Sequence, residues 1–466
     1  MKKGRVRWRS PRASEASLTR FETGAVVSLG TVLSLRMLGL FMIYPIFSRL
    51  ADHYAGATTL TIGLALGSYG LTQGVFQLPF GWLSDRWGRK PVIVAGLLLF
   101  ALGSGIAALA TSITGLIVGR LIQGLGAIGS ATLAFISDVT HEEHRARAMA
   151  VAGGFIGLSF GLAIILGPLL AERIGLAGIF WLTALSALGA MVLVLAVRRP
   201  AWAHPPTASR IRPALRAVLL QRDLRRLDFG ILIQHAVLTS LFLILPGLAG
   251  RVLGMDTADS WLLYLPLLAG AFVLSLPFVV LAEIRAAFRR YLRIGILVGG
   301  IGLALLLVVP NSAVGLVAGL GLYFGAFTLL EALLPSWVSR VTPVGFSGSG
   351  LGVYSSCQFL GIFIGGVAGG LVWARAGVQG VLVLDLVALA AWFVVSWPIA
   401  PVRRCRTCVF KLSHRPDVRL LQARLATLDG VLDWRYAEDE GLLYLRLDTA
   451  VPVDEGLGLI REQFGF

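Results

Sequence analysis

Gly81-Trp82-Leu83-Ser84-Asp85-Arg86-Trp87-Gly88-Arg89-Lys90 joins two long apolar runs, near 59–82 and 91–110. Within ten residues it sets one carboxylate among three cations, and on either side charge almost vanishes. Apolar runs of about 20 residues are long enough to cross a bilayer as helices, so the stretch reads as a short loop at a membrane surface. The composition extends that reading to the whole chain. Of 466 residues 56% are hydrophobic and only 14% charged, while 41 Lys and Arg against 25 Asp and Glu leave a net charge of +16. A soluble domain is about a quarter charged. A chain this apolar needs lipid around it, which makes it an all-α polytopic membrane protein.

Working outward from the loop, further runs lie near 24–48, 113–137, 147–171 and 176–197, then 228–250, 260–282, 291–309, 313–338, 348–371 and 378–399. With the two flanking the loop they make twelve predicted spans, six before and six after a Pro- and Arg-rich linker at 198–227. Basic residues alternate by side. The tail at 1–22, the quoted loop, Arg145 and Arg147, the linker, the Arg285–Arg293 segment, Arg340 and Arg403–Arg406 share one side, whereas the other holds Arg49, Arg173, Arg251 and Arg375. Cytoplasmic loops retain Lys and Arg, so both termini are expected in the cytoplasm. The clustering of arginine between apolar runs excludes nucleic acid as the partner. The basic tail before the first run imitates a signal peptide, but that run continues too far and lacks a small-residue cleavage pattern, so it is expected to stay as a helix. Three cysteines exclude a disulfide framework.

Two six-helix halves at 23–197 and 228–400 fit a parallel-repeat transporter with its site between the halves near the midplane. Helix 5 carries Gly153, Gly154, Gly157, Gly161 and Gly167, and helix 11 carries Gly361, Gly365, Gly366, Gly369 and Gly370. Both series suit close helix approach. Residues 401–466 turn soluble. Val409–Ser413, 431–437 and 442–447 read as strands, the last two as a hairpin. Val418, Leu421, Leu425 and Leu428 share one helix face, and Leu457, Ile460 and Phe464 another. The order βαββα is most of a small α+β ferredoxin-like domain.

The quoted loop resembles the G-x-L-S-D-R-x-G-R-K signature of the major facilitator superfamily through Gly81, Asp85, Arg86, Gly88, Arg89 and Lys90. Arg120 and Gly124, with Gln123 between them, are similar to the family's R-x-x-x-G motif, and Gly157, Gly161, Gly167 and Pro168 resemble its antiporter motif at wider spacing. With the soluble tail, the resemblance is to YajR-type drug and proton antiporters. It implies a bacterial inner-membrane location, exchange of a small molecule against protons with no cofactor, and no enzymatic reaction. It also implies that Asp85, Arg86, Arg89 and Asp138 cluster to hold the outward-open state and separate for inward opening.

The family places helices 1, 4, 7 and 10 around the cavity, and ionisable residues within the spans fall on those four: Arg36, Arg120, His235 and Glu331. A charge at a helix centre costs about 2.5–3.5 kcal/mol to insert, so none is expected to face lipid. Glu331 and His235 enter to similar depths and can exchange protons near neutral pH, with a static pair as the bland alternative. Arg36 and Arg120 are candidates for holding an anionic group in the cavity, or are satisfied by Gln73, Gln77, Gln123, Gln234 and Gln358. Asp385 is expected to serve packing. Cys405 and Cys408 form a C-x-x-C placed before the first strand, too little alone for a metal site. No G-x-x-x-x-G-K-[ST] loop is present, which argues against an ATP-driven pump. Two rival functions share these residues, a membrane sensor signalling through the cytoplasmic domain and a proton-coupled importer. The tail domain itself is a candidate for binding an ion or a partner protein.

Overall fold

The computed structural model describes residues 18–141, 144–198, 211–256, 259–343, 346–401, 405–411, 417–427, 430–437 and 442–448. The N-terminal basic stretch, much of the linker, Arg403 and Arg404, Leu428, the turn at 438–441 and the expected helix around Leu457, Ile460 and Phe464 lie outside them.

Fourteen helices and three strands follow in order among the described residues: α1 Arg20–Phe41, α2 Phe47–Ala51, α3 Thr59–Trp87, α4 Arg89–Leu109, α5 Ile113–Leu125, α6 Gly129–Asp138, α7 Arg145–Ala196, α8 Ile211–Leu220, α9 Arg222–Leu253, α10 Ser260–Arg285, α11 Phe288–Val308, α12 Ala313–Val341, α13 Ser347–Ser396, β1 Cys405–Lys411, α14 Val418–Ala426, β2 Val431–Ala437 and β3 Leu442–Asp448. Nine helical segments among the described residues are long and apolar enough to cross a membrane.

Two of these are too long for one crossing. At 1.5 Å per residue the 52-residue α7 would extend about 78 Å, against a hydrocarbon core of about 30 Å. It reverses at Gly175 (φ 63°, ψ −176°), and α13 reverses at Gly377 (φ 65°, ψ −162°). Only glycine adopts such a φ without strain. The reversal of α7 shows in its contacts. His144, just before its start, binds Glu22 near the start of α1, Gly167 abuts Met42 past the other end of α1, and Leu195 accepts a hydrogen bond from Lys90 back at the first face. The two turns carry the same pattern, Arg173-Ile-Gly175-Leu-Ala-Gly178 and Arg375-Ala-Gly377-Val-Gln-Gly380. This repeat is a sharper mark of the two halves than the glycine series read from the sequence.

Those glycine series are not equivalent. In α13 a Cβ on Gly361 would sit 2.2 Å from the Leu232 carbonyl oxygen and one on Gly365 2.1 Å from that of Ala236, so α13 lies backbone to backbone on α9. Its neighbours Gly366 and Gly370 meet Gly63 of α3 in the same way. By contrast Gly153, Gly154, Gly157 and Gly161 of α7 have nothing within 4 Å of a Cβ position. The close approach expected at Gly157 and Gly161 is absent because this stretch of α7 faces open space. Gly167 alone of that series packs, against the Met42 carbonyl.

The linker is shorter than expected. It contains α8, and α9 begins at Arg222 rather than 228, anchored where Arg226 binds Asp223 at 2.8 Å and Gln221 donates to Val341 O. Beyond the bundle, β1, β3 and β2 form one antiparallel sheet with β3 central, so β1 and β2 run parallel on either side of it. β1 starts at Cys405, earlier than expected, so the C-x-x-C lies within the strand and not before it, with Cys405 opposite Asp448 and Cys408 opposite Leu445. Leu443, Leu445 and Leu447 alternate into the core against Leu421 and Leu425 of α14. This small α+β region meets the bundle at the α12–α13 junction, where Arg446 donates to Thr342 O at 2.8 Å and Arg435 stacks 4.1 Å from the Phe346 ring centroid.

Candidate functional site

Two polar networks lie inside the apolar bundle, one in each half. In the N-terminal half, α1 buries Arg36 to 2% exposure. Its Nη2 donates to the Tyr69 hydroxyl at 2.6 Å and to Gln73 Oε1 at 2.5 Å, and Gln73 passes a hydrogen bond of 2.7 Å to Gln77. Tyr69, Gln73 and Gln77 stand four apart on α3, the spacing that stacks side chains on one helix face. Arg120, fully buried on α5, donates to Gln123 Oε1 at 2.5 Å and lies 4.8 Å from the Tyr69 ring centroid, while Gln123 donates to Ser104 at 2.8 Å. Neither arginine has a carboxylate partner among the described residues. Amides and backbone carbonyls of Ala65 and Leu66 receive their protons instead.

In the C-terminal half, Glu331 on α12 meets α9 and α13. Gln234 donates to its Oε2 at 2.9 Å and Gln358 to its Oε1 at 3.1 Å. His235 Nε2 stands 3.9 Å from the carboxylate and 2.9 Å from Gln358 Nε2, so as placed it accepts from the amide that also holds Glu331. The expected meeting of Glu331 and His235 is present, bridged by Gln358. Asp385 binds Ser240 Oγ at 2.5 Å within the bundle, deeply buried between α9 and the second half of α13. The two networks approach each other across the halves, where the Tyr69 ring packs edge-on against Phe359, the neighbour of Gln358, at 6.2 Å.

The third constellation is the loop between α3 and α4. Gly88 takes φ 94°, which lets α4 start one residue after α3 ends. Arg89 is thereby turned back, donating from Nε to Asp138 at 2.8 Å and from Nη1 to Ser84 Oγ at 2.7 Å, and ion-pairing with Asp85. Lys90 reaches Leu195 O at 2.9 Å, tying the end of α7 to the same face. Gly81 faces Ser130 of α6, 3.1 Å from a Cβ position. Arg86 departs from expectation: it stacks 5.8 Å from the Trp82 ring centroid and does not join the cluster. One helical turn separates it from Trp82, so the side chain reaches that ring along its own helix. The antiporter-motif residue Pro168 lies inside α7 one residue after the packed Gly167.

A fourth cluster was missed. Glu22 is buried and accepts from His141 Nδ1 at 2.9 Å, from the His141 backbone at 2.7 Å, from His144 Nδ1 at 2.7 Å and from Thr19 N at 2.8 Å. The signal was in the sequence as the capping box Thr19-x-x-Glu22.

Comparison with known proteins agrees with this geometry. A profile of the Major Facilitator Superfamily matches residues 29–282. The chain is 37% identical over 450 residues to the inner membrane transport protein YajR of Escherichia coli K12, covering 94% of this chain and 97% of that one. It is 28% identical to the multidrug resistance protein MdtH of Aeromonas hydrophila over 74% of this chain and 86% of the relative. Among solved structures, an inward-facing, occupied bacterial homologue of the human lysosomal transporter Spinster matches with a TM-score of 0.68 at 13% identity, over 82% of this chain and 97% of that one. A match to the family profile over more than half the chain, together with a relative aligned nearly end to end, leads to one conclusion: the chain belongs to the Major Facilitator Superfamily and is a multi-pass transport protein of the inner membrane.

Proposed function

We propose that the protein is a proton-coupled exporter of small molecules that works by alternating access, with twelve spans, both termini in the cytoplasm and Glu331 as the proton-carrying group. One observation carries the reading. Glu331 is a carboxylate within a membrane bundle that has no arginine or lysine partner among the described residues, held only by Gln234 and Gln358. Neutral amides support either protonation state, whereas a guanidinium would fix the charge. His235 Nε2, 3.9 Å from the carboxylate, gives the proton a neighbouring acceptor.

The twelve spans follow from splitting α7 at Gly175 and α13 at Gly377, taking α5 with α6 as one and adding α3. An inward-facing arrangement is supported by where the halves touch. Opposite the Arg89 face, Tyr44 stacks edge-on against Phe242 at 5.5 Å and Arg49 donates to Met255 O at 3.4 Å. Toward the Arg89 face the glycine stretch of α7 is open, while α3 and α13 still meet where a Cβ on Gly352 would stand 2.8 Å from Leu78. Asp85, Arg89 and Asp138 all belong to the N-terminal half and stay paired in this arrangement, so the cluster moves with that half as it rocks. Export is favoured over import by the multidrug resistance relative. A helix between two parallel strands, with a third strand inserted between them, is the split β-α-β unit of a ferredoxin-like tail, and its docking at the α12–α13 junction suits a regulatory role.

The test is uptake of a panel of dyes and antibiotics into inverted sealed vesicles under an imposed proton gradient. Flux should require the gradient, and Glu331→Gln should reduce it to the level of protein-free vesicles. Gradient-driven flux that survives the substitution overturns Glu331 as carrier, and ligand binding without flux by the native protein would favour a sensor.

A further inference from the structure

We propose that Arg36 and the N-terminus of α6 form a binding site for a small monovalent anion, supplied either as free halide or as the carboxylate of a transported molecule; the second source rests on the transport reading above. Arg36 is the starting point. It is 2% exposed, and while Nη2 is satisfied by Tyr69 and Gln73, Nε and Nη1 have no hydrogen-bond partner among the described residues. A buried guanidinium with unpaired protons and no counterion is costly. Either the fold bears that cost, or an anion removes it.

The second observation lies beside it. The fourth span is discontinuous. α5 stops at Leu125, and the chain makes tight turns in which Gly126, Ala127 and Ile128 donate to Gln123, Leu125 and Gly126. α6 then starts afresh at Gly129, with no side-chain cap, and Thr132 is the first of its residues to donate one turn back, to Ile128. The N–H groups of Gly129, Ser130 and Ala131 are therefore left without helical acceptors, and their dipoles concentrate positive potential at this end. Arg36 is aimed at that end. A Cβ placed on Gly129 would lie 3.9 Å from Arg36 Nη1, 3.2 Å from Gln77 Nε2 and 3.8 Å from Gln77 Oε1.

Orphan helix N–H groups, an unpaired guanidinium and an amide nitrogen thus lie around the gap between Gly129, Arg36 and Gln77. Converging donors of this kind bind anions. Charge agrees, since neither Arg36 nor Arg120, both buried, has an acidic partner among the described residues. The rings of Tyr69 and Phe100, 6.0 and 5.9 Å from the Arg36 guanidinium carbon, wall the site from lipid.

The test uses the full chain in detergent with sodium isethionate, a bulky sulfonate, as background. Thermal unfolding is followed while sodium bromide, sodium benzoate or neutral benzyl alcohol is titrated. Bromide should stabilise the native protein saturably. Both Arg36→Gln and Gly129→Ala should weaken that response roughly tenfold, the second by filling the gap while leaving the Arg36–Tyr69–Gln73 bonds in place. Benzoate that competes with bromide identifies a carboxylate as the ligand, whereas stabilisation by bromide alone identifies a free ion. A native protein indifferent to both anions, or a Gly129→Ala variant with the native response, overturns the proposal. Glu331→Gln should keep the bromide response whatever it does to flux, so failure of the proton reading and failure of the anion site are told apart.

Discussion

Replacing Gly365 by alanine should destabilise the bundle, while the same change at Gly161 should not. At Gly365 the added Cβ would stand 2.1 Å from the Ala236 carbonyl oxygen and 2.6 Å from its Cα. Real Cβ atoms essentially never approach within 3.0 Å, so relief requires roughly 1 Å of separation, and the obstacle is backbone that no rotamer change can move. Overpacking of this kind costs about 1–3 kcal/mol, set against the 0.5–1 kcal/mol that alanine gains over glycine inside a helix. Separation of α9 from α13 also strains the Gln358–His235 hydrogen bond of 2.9 Å, since Gln358 lies three residues before Gly361 on the same helix. At Gly161 nothing lies within 4 Å, so only the helix-propensity gain remains. Thermal unfolding in one detergent should place Gly365→Ala below the native protein and Gly161→Ala level with or slightly above it. Equal midpoints for Gly365→Ala and the native chain would refute the backbone contact on which the α9–α13 seam is built.

Other expectations follow from single contacts. A double-mutant cycle between Arg89→Ala and Asp138→Asn should give a coupling of roughly 1–2 kcal/mol in unfolding, because the two side chains meet at 2.8 Å with little exposure; additivity would count against the pair. Arg446→Ala with Arg435→Ala removes the two contacts that seat the sheet on the α12–α13 junction, so limited proteolysis should cut between bundle and tail faster than in the native chain. Gly175→Ala forces a Cβ onto a φ of 63°, and strain of about 1–2 kcal/mol should appear as a lower unfolding midpoint.

The halves were legible because lipid imposes a simple rule. Backbone groups must bond within their own helix, so spans appear as uninterrupted apolar runs, and arginine marks the surfaces between them. What composition cannot convey is where a run of small residues finds a partner. Gly157, Gly161, Gly361 and Gly365 look alike in sequence, yet two meet backbone and two meet open space. That difference depends on how the halves sit against each other, which in a rocking transporter is a property of the state. Arg86 is a local case instead, since its reach to Trp82 along its own helix is open to it whatever the rest of the loop does.

The candidate residues were legible for a related reason. An ionisable side chain inside an apolar run is costly, so Arg36, Arg120, His235 and Glu331 stand out without any structure. Their partners do not, because glutamines inside spans are too common to assign: Gln358 joins Glu331 to His235, and Gln73 with Tyr69 leaves half of Arg36 unpaired. The division of charge then becomes visible. Among the described residues, Arg36 and Arg120 of the N-terminal half have no acidic partner, and Glu331 and Asp385 of the C-terminal half have no arginine or lysine partner. A proton taken up at Glu331 changes the charge of one half only, while an anion at Arg36 changes that of the other. Coupling between the two needs no direct contact between ligands, since Tyr69 and Phe359 already link the networks across the seam along which the halves must move.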